Sequence, residues 1–366
     1  MSYTVFNKEV FDAKKEFMFF GKPVSTARFD EQKHKVFEDL TEKTLGFFWR
    51  PQEISVKKDA KDFRELPEHE KRIFLLNLKY QTILDSVQGR SPNICFLPIV
   101  SLPELENWIE TWSFSESIHS RSYTHIIRSV LPNPTEVFDS ILLDEEIVKR
   151  AEAVTKYYDN LHKFNCEREV GGSEYCEYAH KKAYYLCLHS VAVLEAIRFY
   201  VSFACSFSFA ERDLMNGNAD IIKLVCRDES IHWKGTQFIL NSYRLGKDDP
   251  EMVKVHEDCK EEVMNIWLDA NAQEKDWARY LFKDGSMRGL NEEILCQYID
   301  YLTDQRMRSV GLDSPFSVSK NPLPWMKNWT NTSNVQTTPQ AKELTSYITG
   351  GLDSNINDTD FEDTLL

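Results

Sequence analysis

The chain has 366 residues, enough for a thick core and well beyond the size at which disulfides or a zinc clip must replace one. It carries 44 basic against 58 acidic residues, a net charge of −14, which disfavours a general role on nucleic acid or an anionic membrane. Apolar residues make up 42% and aromatic residues 13%, the balance of a globular protein whose interior is filled by large rings.

The eight cysteines are scattered, without a C-x-x-C, and several lie inside apolar runs, as reduced core cysteines do. The opening MSYTVFNKEV has no apolar leader, so a cytoplasmic location is expected. Leu186 to Ala210 is the most membrane-like stretch, but its charge-free part after Arg198 spans 12 residues. A bilayer span needs about 20, and the stretch reads as a buried helix.

In chain order the sequence predicts helix after helix. One runs from about Glu31 to Trp49 and stops before Pro51. The next starts near Pro67 and ends at Gly89. Ser101-Leu-Pro-Glu104 has the form of a capping box, opening a helix that runs to about Val130, before Pro132. Another follows Pro134 to about Phe164. Gly171-Gly-Ser173 introduces a very long helix, roughly 174 to 213, which Asn216-Gly-Asn218 breaks. Three more are expected at about 219 to 243, 251 to 283 and 291 to 308. Long helices without strict heptads, and no βαβ alternation, indicate an all-α protein built as a large bundle. From Asn328 the last 39 residues turn polar, and from Gly351 onward they hold five acidic and no basic residues. That composition predicts a flexible tail, with Tyr347, Phe361 and Leu365 among its few apolar anchors.

Two short motifs carry chemistry: Glu116-Ser-Ile-His119 and Glu229-Ser-Ile-His232. At i and i+3 a carboxylate and an imidazole leave a helix on one face and can grip a metal. A single copy is weak, because a core histidine beside a glutamate is commoner. Two copies in a long-helix protein match di-metal carboxylate bundles, which add one acid from each of two other helices. Glu195 and Asp85 are the candidates, because both sit in apolar runs where a lone charge is costly to bury. Ion pairing with Arg198, three residues from Glu195, or Arg90, five from Asp85, is the plainer alternative. The spacing favours metal: Asp85 precedes Glu116 by 31 residues and Glu195 precedes Glu229 by 34. Four carboxylates and two neutral imidazoles would balance two divalent ions, and a thiolate-free set suits iron or manganese. Tyr123 lies one helical turn after His119, beside the same face. Phe199 and Phe203 follow Glu195 by four and eight residues and would keep the site dry.

These residues resemble the small, radical-generating subunit of class I ribonucleotide reductase, of the class Ia type. The resemblance runs over essentially the whole chain. It rests on Phe47-Phe-Trp-Arg50, Asn77-Leu-Lys-Tyr-Gln-Thr82, Trp112-Ser-Phe-Ser-Glu-Ser-Ile-His-Ser-Arg-Ser-Tyr123, Leu194-Glu-Ala-Ile-Arg-Phe-Tyr200 and Arg227-Asp-Glu-Ser-Ile-His232. It implies a ferritin-like bundle over residues 31–327, an N-terminal extension over 1–30 and a tail over 328–366 that docks on the large subunit. By the same resemblance Asp85, Glu116 and His119 hold one iron, Glu195, Glu229 and His232 hold the second, and Glu116 and Glu229 bridge them. The active state would be an oxo-bridged diferric centre, with manganese an alternative occupant. Tyr123 would carry the stable radical, within an apolar pocket of Phe199, Phe203 and Val225. Trp49, Asp228 and His119 would form a hydrogen-bonded path to the surface, and Tyr347 would relay the radical to the large subunit. Ala341 departs from the acid of a close relative, with Glu343 nearby. A homodimer, a large catalytic subunit and an external electron donor are the implied partners. The activity implied is reduction of ribonucleoside diphosphates, completed on the large subunit. The alternative is a di-iron oxygenase or desaturase using the same six ligands.

Overall fold

A computed structural model describes residues 7–331. Among them the regular structure is helical, and the β-structure is confined to two isolated bridges, Phe19 with Val100 and Met287 with Leu290. The α-helices are α1 (Lys35–Gly46), α2 (Asp59–Glu65), α3 (Glu68–Gln88), α4 (Ser91–Cys95), α5 (Pro103–Val130), α6 (Thr135–Asp139), α7 (Glu145–Val170), α8 (Glu177–Val193), α9 (Tyr200–Ala210), α10 (Asn216–Arg244), α11 (Pro250–Asp258), α12 (Lys260–Phe282), α13 (Glu292–Ser309) and α14 (Met326–Thr330). A π-helical turn, Leu194–Arg198, joins α8 to α9. The stretch Glu177–Ala210 is apolar enough to cross a membrane, yet its most apolar window is 94% buried inside the fold.

Contacts between the long helices position the site. Helix α5 packs on α1 and α3, α10 lies along α8 and α9, and α5 and α10 touch directly. Gly235 makes that last contact close: a Cβ there would stand 2.2 Å from Cζ2 of Trp108 on α5. The N-terminus of α10 is held from outside the helix, where Asp59 accepts from the backbone N–H groups of Gly217 (3.1 Å) and Asn218 (2.6 Å).

Several expected boundaries move, each for a local reason. The first helix is shorter than Glu31 to Trp49. Glu104 draws the backbone N–H groups of Lys33 and His34 onto Oε1, both at 3.0 Å, and helix begins only at Lys35. Ser101 is not a cap. Its backbone N–H donates to Met18 O, its hydroxyl has no hydrogen-bond partner, and α5 begins at Pro103 with Leu102 before it. The segment after Pro134 breaks at Ser140 and restarts under Asp144, which caps α7 by accepting from Glu146 N and Ile147 N. The long helix expected over 174 to 213 is interrupted by the π-turn. Asn216-Gly-Asn218 starts α10 instead of breaking a helix, after Asp213 and Met215 take up left-handed backbone at φ 59° and 51°. The helix expected over 251 to 283 is divided at Cys259.

Candidate metal centre

The six predicted donors converge from four segments. Asp85 comes from the last turn of α3, Glu116 and His119 from α5, Glu195 from the π-turn, and Glu229 and His232 from α10. Five are wholly inaccessible to solvent and His232 is 1% exposed. Their donor atoms form two sets, each within 4.8 Å: Asp85, Glu116, His119 and Glu229, and then Glu116, Glu195, Glu229 and His232. Glu116 and Glu229 belong to both. The π-turn matters here, because inserting one residue into a helical turn swings its side chain relative to a regular α-helix.

Arginine pairing does not account for the two lone acids. Arg198 turns toward Glu274, with Nη1 3.6 Å from Oε1. Glu195 Oε1 instead accepts from Gln88 Nε2 at 2.7 Å, and Asp85 Oδ2 accepts from the Tyr123 hydroxyl at 2.7 Å. Trp112 Nε1 donates to Glu116 Oε1 at 3.0 Å. These bonds leave Asp85 Oδ1, Glu195 Oε2 and Glu229 Oε1 buried without a hydrogen-bond partner. Orphaned acceptors of this kind cost a folded chain heavily unless a cation completes them.

Electrostatics describe a site in need of positive charge. Burial, then Glu116, holds the Asp85 carboxyl well above the usual carboxylate range. Burial, then Glu116 and Glu195, does the same to Glu229. Burial also works to raise Glu116, but His232 and His119 outweigh it and bring it down to about 2. Burial would depress His119, yet Glu116 and Asp228 lift it to about 10. Without metal, Asp85 and Glu229 are therefore held toward their protonated forms, and the protonated imidazoles stand in for positive charge beside Glu116. Hard oxygen donors, two imidazoles and no thiolate fit a pair of iron-like or manganese-like ions.

Hydrogen bonds behind the site orient the His119 imidazole. His119 directs Nδ1 at the carboxylates and has Nε2 3.3 Å from Asp228 Oδ2. Trp49 Nε1 donates to that same oxygen at 2.8 Å, and Arg227 donates to Oδ1 through Nε and Nη2. A carboxylate behind a ligating histidine fixes its ring and tautomer. Trp49 is itself only 1% exposed, so the indole lies beneath the surface. Phe199, Phe203 and Val225 are fully buried, with the two phenylalanine rings stacked at 5.8 Å. Tyr347 and Ala341 lie outside the described residues. Gln88 was not among the expected site residues: an amide at the end of an amphipathic helix carries no sequence signal that sets it apart from a surface glutamine.

A family model described as "Ribonucleotide reductase, small chain" matches residues 28–322. The chain belongs to this family. It is 54% identical to ribonucleoside-diphosphate reductase 1 subunit beta of Escherichia coli O157:H7, over 98% of each chain. With ribonucleoside-diphosphate reductase subunit beta of Haemophilus influenzae it shares 55% identity over 99% of each. The structure of the ribonucleotide reductase R2 subunit from Clostridium botulinum superposes with a TM-score of 0.78 at 25% identity, covering 90% of this chain and 98% of that one. As a ribonucleotide reductase small subunit the chain works with a large subunit, and its buried cluster is a dinuclear metal centre. The oxygenase alternative finds no favour among these relatives.

Proposed function

We propose that this small subunit generates and stores a one-electron oxidant on Tyr123 and passes it to the large subunit, where ribonucleoside diphosphates are reduced. The observation that carries this reading is the Tyr123–Asp85 hydrogen bond of 2.7 Å in a region closed to water, with Tyr123 fully buried. Two iron ions per chain are the proposed occupants, held by Asp85, Glu116 and His119 on one side and Glu195, Glu229 and His232 on the other, with Glu116 and Glu229 shared. Manganese fits the same donors. Redox metal in this position supplies, with dioxygen, the oxidising power that removes one electron from a neighbouring side chain.

The protein's own residues then do the rest. Tyr123 would give up its phenolic proton to its hydrogen-bond acceptor, Asp85 Oδ2, which leaves a neutral radical in a low-dielectric surrounding. Burial, then Asp85, pushes the phenol well above its usual range, so Tyr123 does not ionise beforehand. Phe199, Phe203 and Val225 are the proposed dry walls that keep water and reductants away. Trp49, Asp228 and His119 form the proposed path for the outside electron and for the outgoing oxidant. In this reading residues 31–327 are the helical domain, 1–30 an N-terminal extension and 328–366 a docking tail in which Tyr347 continues the relay. The functional unit is proposed to be a cytoplasmic homodimer served by an external electron donor.

The test is an anaerobic ferrous loading of the metal-free chain, followed by oxygen and low-temperature EPR, beside Tyr123→Phe. A tyrosyl doublet in wild type that vanishes in the variant is expected. Iron oxidation with no protein radical in wild type would overturn the reading.

A further inference from the structure

The centre faces a second buried tyrosine. Tyr158, on α7, is 3% exposed, and its hydroxyl donates to Gln88 Oε1 at 2.9 Å. Gln88 Nε2 in turn donates to Glu195 Oε1 at 2.7 Å. Each terminal acid of the site is thus tied through one oxygen to a phenol, Asp85 directly to Tyr123 and Glu195 to Tyr158 through one amide. We propose that Gln88 is a positioning residue that fixes Glu195 and insulates Tyr158, so that oxidation falls on Tyr123. The proposal rests on the reading of Tyr123 as the radical site.

The orientation of the amide follows from its neighbours. A flipped Gln88 would set its carbonyl against the Glu195 carboxylate, acceptor against acceptor. As the acceptor, the Glu195 oxygen faces Nε2, which leaves Oε1 for the phenol. In this arrangement Gln88 commits Glu195 Oε1 and leaves Oε2, which has no hydrogen-bond partner, as the atom free to bind metal. Gln88 also sits three residues from Asp85, so one turn of α3 positions both terminal acids.

Insulation follows from proton bookkeeping. Converting either phenol to a neutral radical sends one electron to the oxidised centre and one proton to the group that accepts the phenol's hydrogen bond. Tyr123 has a carboxylate there. Tyr158 has an amide carbonyl, which is a very weak base and whose own N–H is engaged by Glu195. Losing the electron without the proton would leave a phenol cation in a region with no water to solvate it. Tyr158, like Tyr123, holds its proton beforehand, because burial first, then Cys187 and Cys95, and next Glu195 and Glu116 push it well above its usual range. Tyr123 meets a site carboxylate directly and Tyr158 meets only the amide, so the two phenols differ in their proton acceptor.

The test replaces the amide by a base while Tyr123 is absent. Tyr123→Phe, Tyr123→Phe with Gln88→His, and Tyr123→Phe with Gln88→Glu are loaded with iron, checked for metal content, exposed to oxygen and read by EPR with ring-deuterated tyrosine. Histidine keeps a donor for Glu195 and offers a basic nitrogen to Tyr158. Tyr123→Phe alone is expected to give no tyrosyl signal. At least one basic variant is expected to raise the tyrosyl yield above that background by roughly a hundredfold, the lower end of what a placed base contributes. That signal should disappear when Tyr158→Phe is added. A Tyr158 radical in Tyr123→Phe with Gln88 intact overturns the inference without any Gln88 variant. So does the absence of a Tyr158 signal in both basic variants. A wild type without a tyrosyl doublet overturns both this and the reading of Tyr123. A normal wild-type doublet with either adverse result overturns the inference alone.

Discussion

His232 Nδ1 stands 3.0 Å from Oε1 of Glu116, on a different helix, as close as it stands to Glu229 of its own motif at 3.1 Å. His119 mirrors it, with Nδ1 2.9 Å from Glu116 Oε2 and 3.2 Å from Glu229 Oε1. The two Glu-x-x-His motifs are therefore interlocked rather than parallel. In the metal-free chain these contacts are made with protons, and metal must displace them. His119, raised to about 10, holds its proton at neutral pH, and Asp85 and Glu229 are raised well above ordinary carboxyls. Metal affinity should therefore climb as pH rises toward about 10, by about tenfold per pH unit for each proton displaced. Calorimetric titration with ferrous or manganous ion in two buffers of different ionisation enthalpy reads the proton release directly. A binding constant flat between neutral and alkaline pH would count against this account.

Membership of both donor sets makes Glu116 different from Glu195. Glu116→Ala should lose both ions, dropping metal content from two per chain to well below one. Glu195→Ala removes a donor from one set only and should keep about one ion. Anaerobic loading followed by elemental analysis distinguishes the two variants, with circular dichroism to confirm that each still folds. Equal losses in both would mean that the two sets do not fill independently.

Much of this arrangement could be read from residue order because burying a charge is expensive. Asp85 and Glu195 stood out as acids inside apolar runs, and the repeated Glu-x-x-His gave each a partner helix. What stayed hidden was set by tertiary contact. Gln88 becomes informative only when α7 brings Tyr158 to one side of it and the π-turn brings Glu195 to the other. Ser101 and Glu104 satisfied a local capping pattern. The structure instead spends Glu104 on the chain before α1, and pairs the backbone beside Ser101 with residues 18 and 19. The π-turn itself has no signature in Leu194-Glu-Ala-Ile-Arg198, which reads as ordinary helix.

Gly235 faces the ring of Trp108, which lies 5.0 Å by centroid from Trp112, the donor to Glu116. A methyl group there has no space. Gly235→Ala should destabilise the metal-free chain by about 1–3 kcal/mol through overpacking. Because the displaced ring leans on Trp112, the variant should also bind metal more weakly. Urea unfolding and a metal titration on the same preparation measure both. Full stability with unchanged metal binding would show that α5 and α10 can separate at no cost.

Glu274 is fully buried on α12 and accepts from the Tyr80 hydroxyl at 2.6 Å. Burial is the largest influence on it and outweighs Arg198 and Arg150, raising the carboxyl to about 7. A group whose folded pKa lies above its unfolded value stabilises while protonated, and that contribution is lost as pH rises through the folded value. Between the ordinary glutamate value of 4.5 and about 7, wild type should therefore lose stability that Glu274→Gln does not. The full difference is about 3 kcal/mol on the scale of 1.36 kcal/mol per pKa unit. Glutamine keeps an acceptor for Tyr80 and carries no charge at any pH. The variant should thus match wild type near pH 4.5 and exceed it near pH 8, in urea melts of the two proteins in the same metal state. A variant less stable than wild type at pH 8 would mean that the Arg198 ion pair outweighs burial, and that Glu274 is ionised throughout.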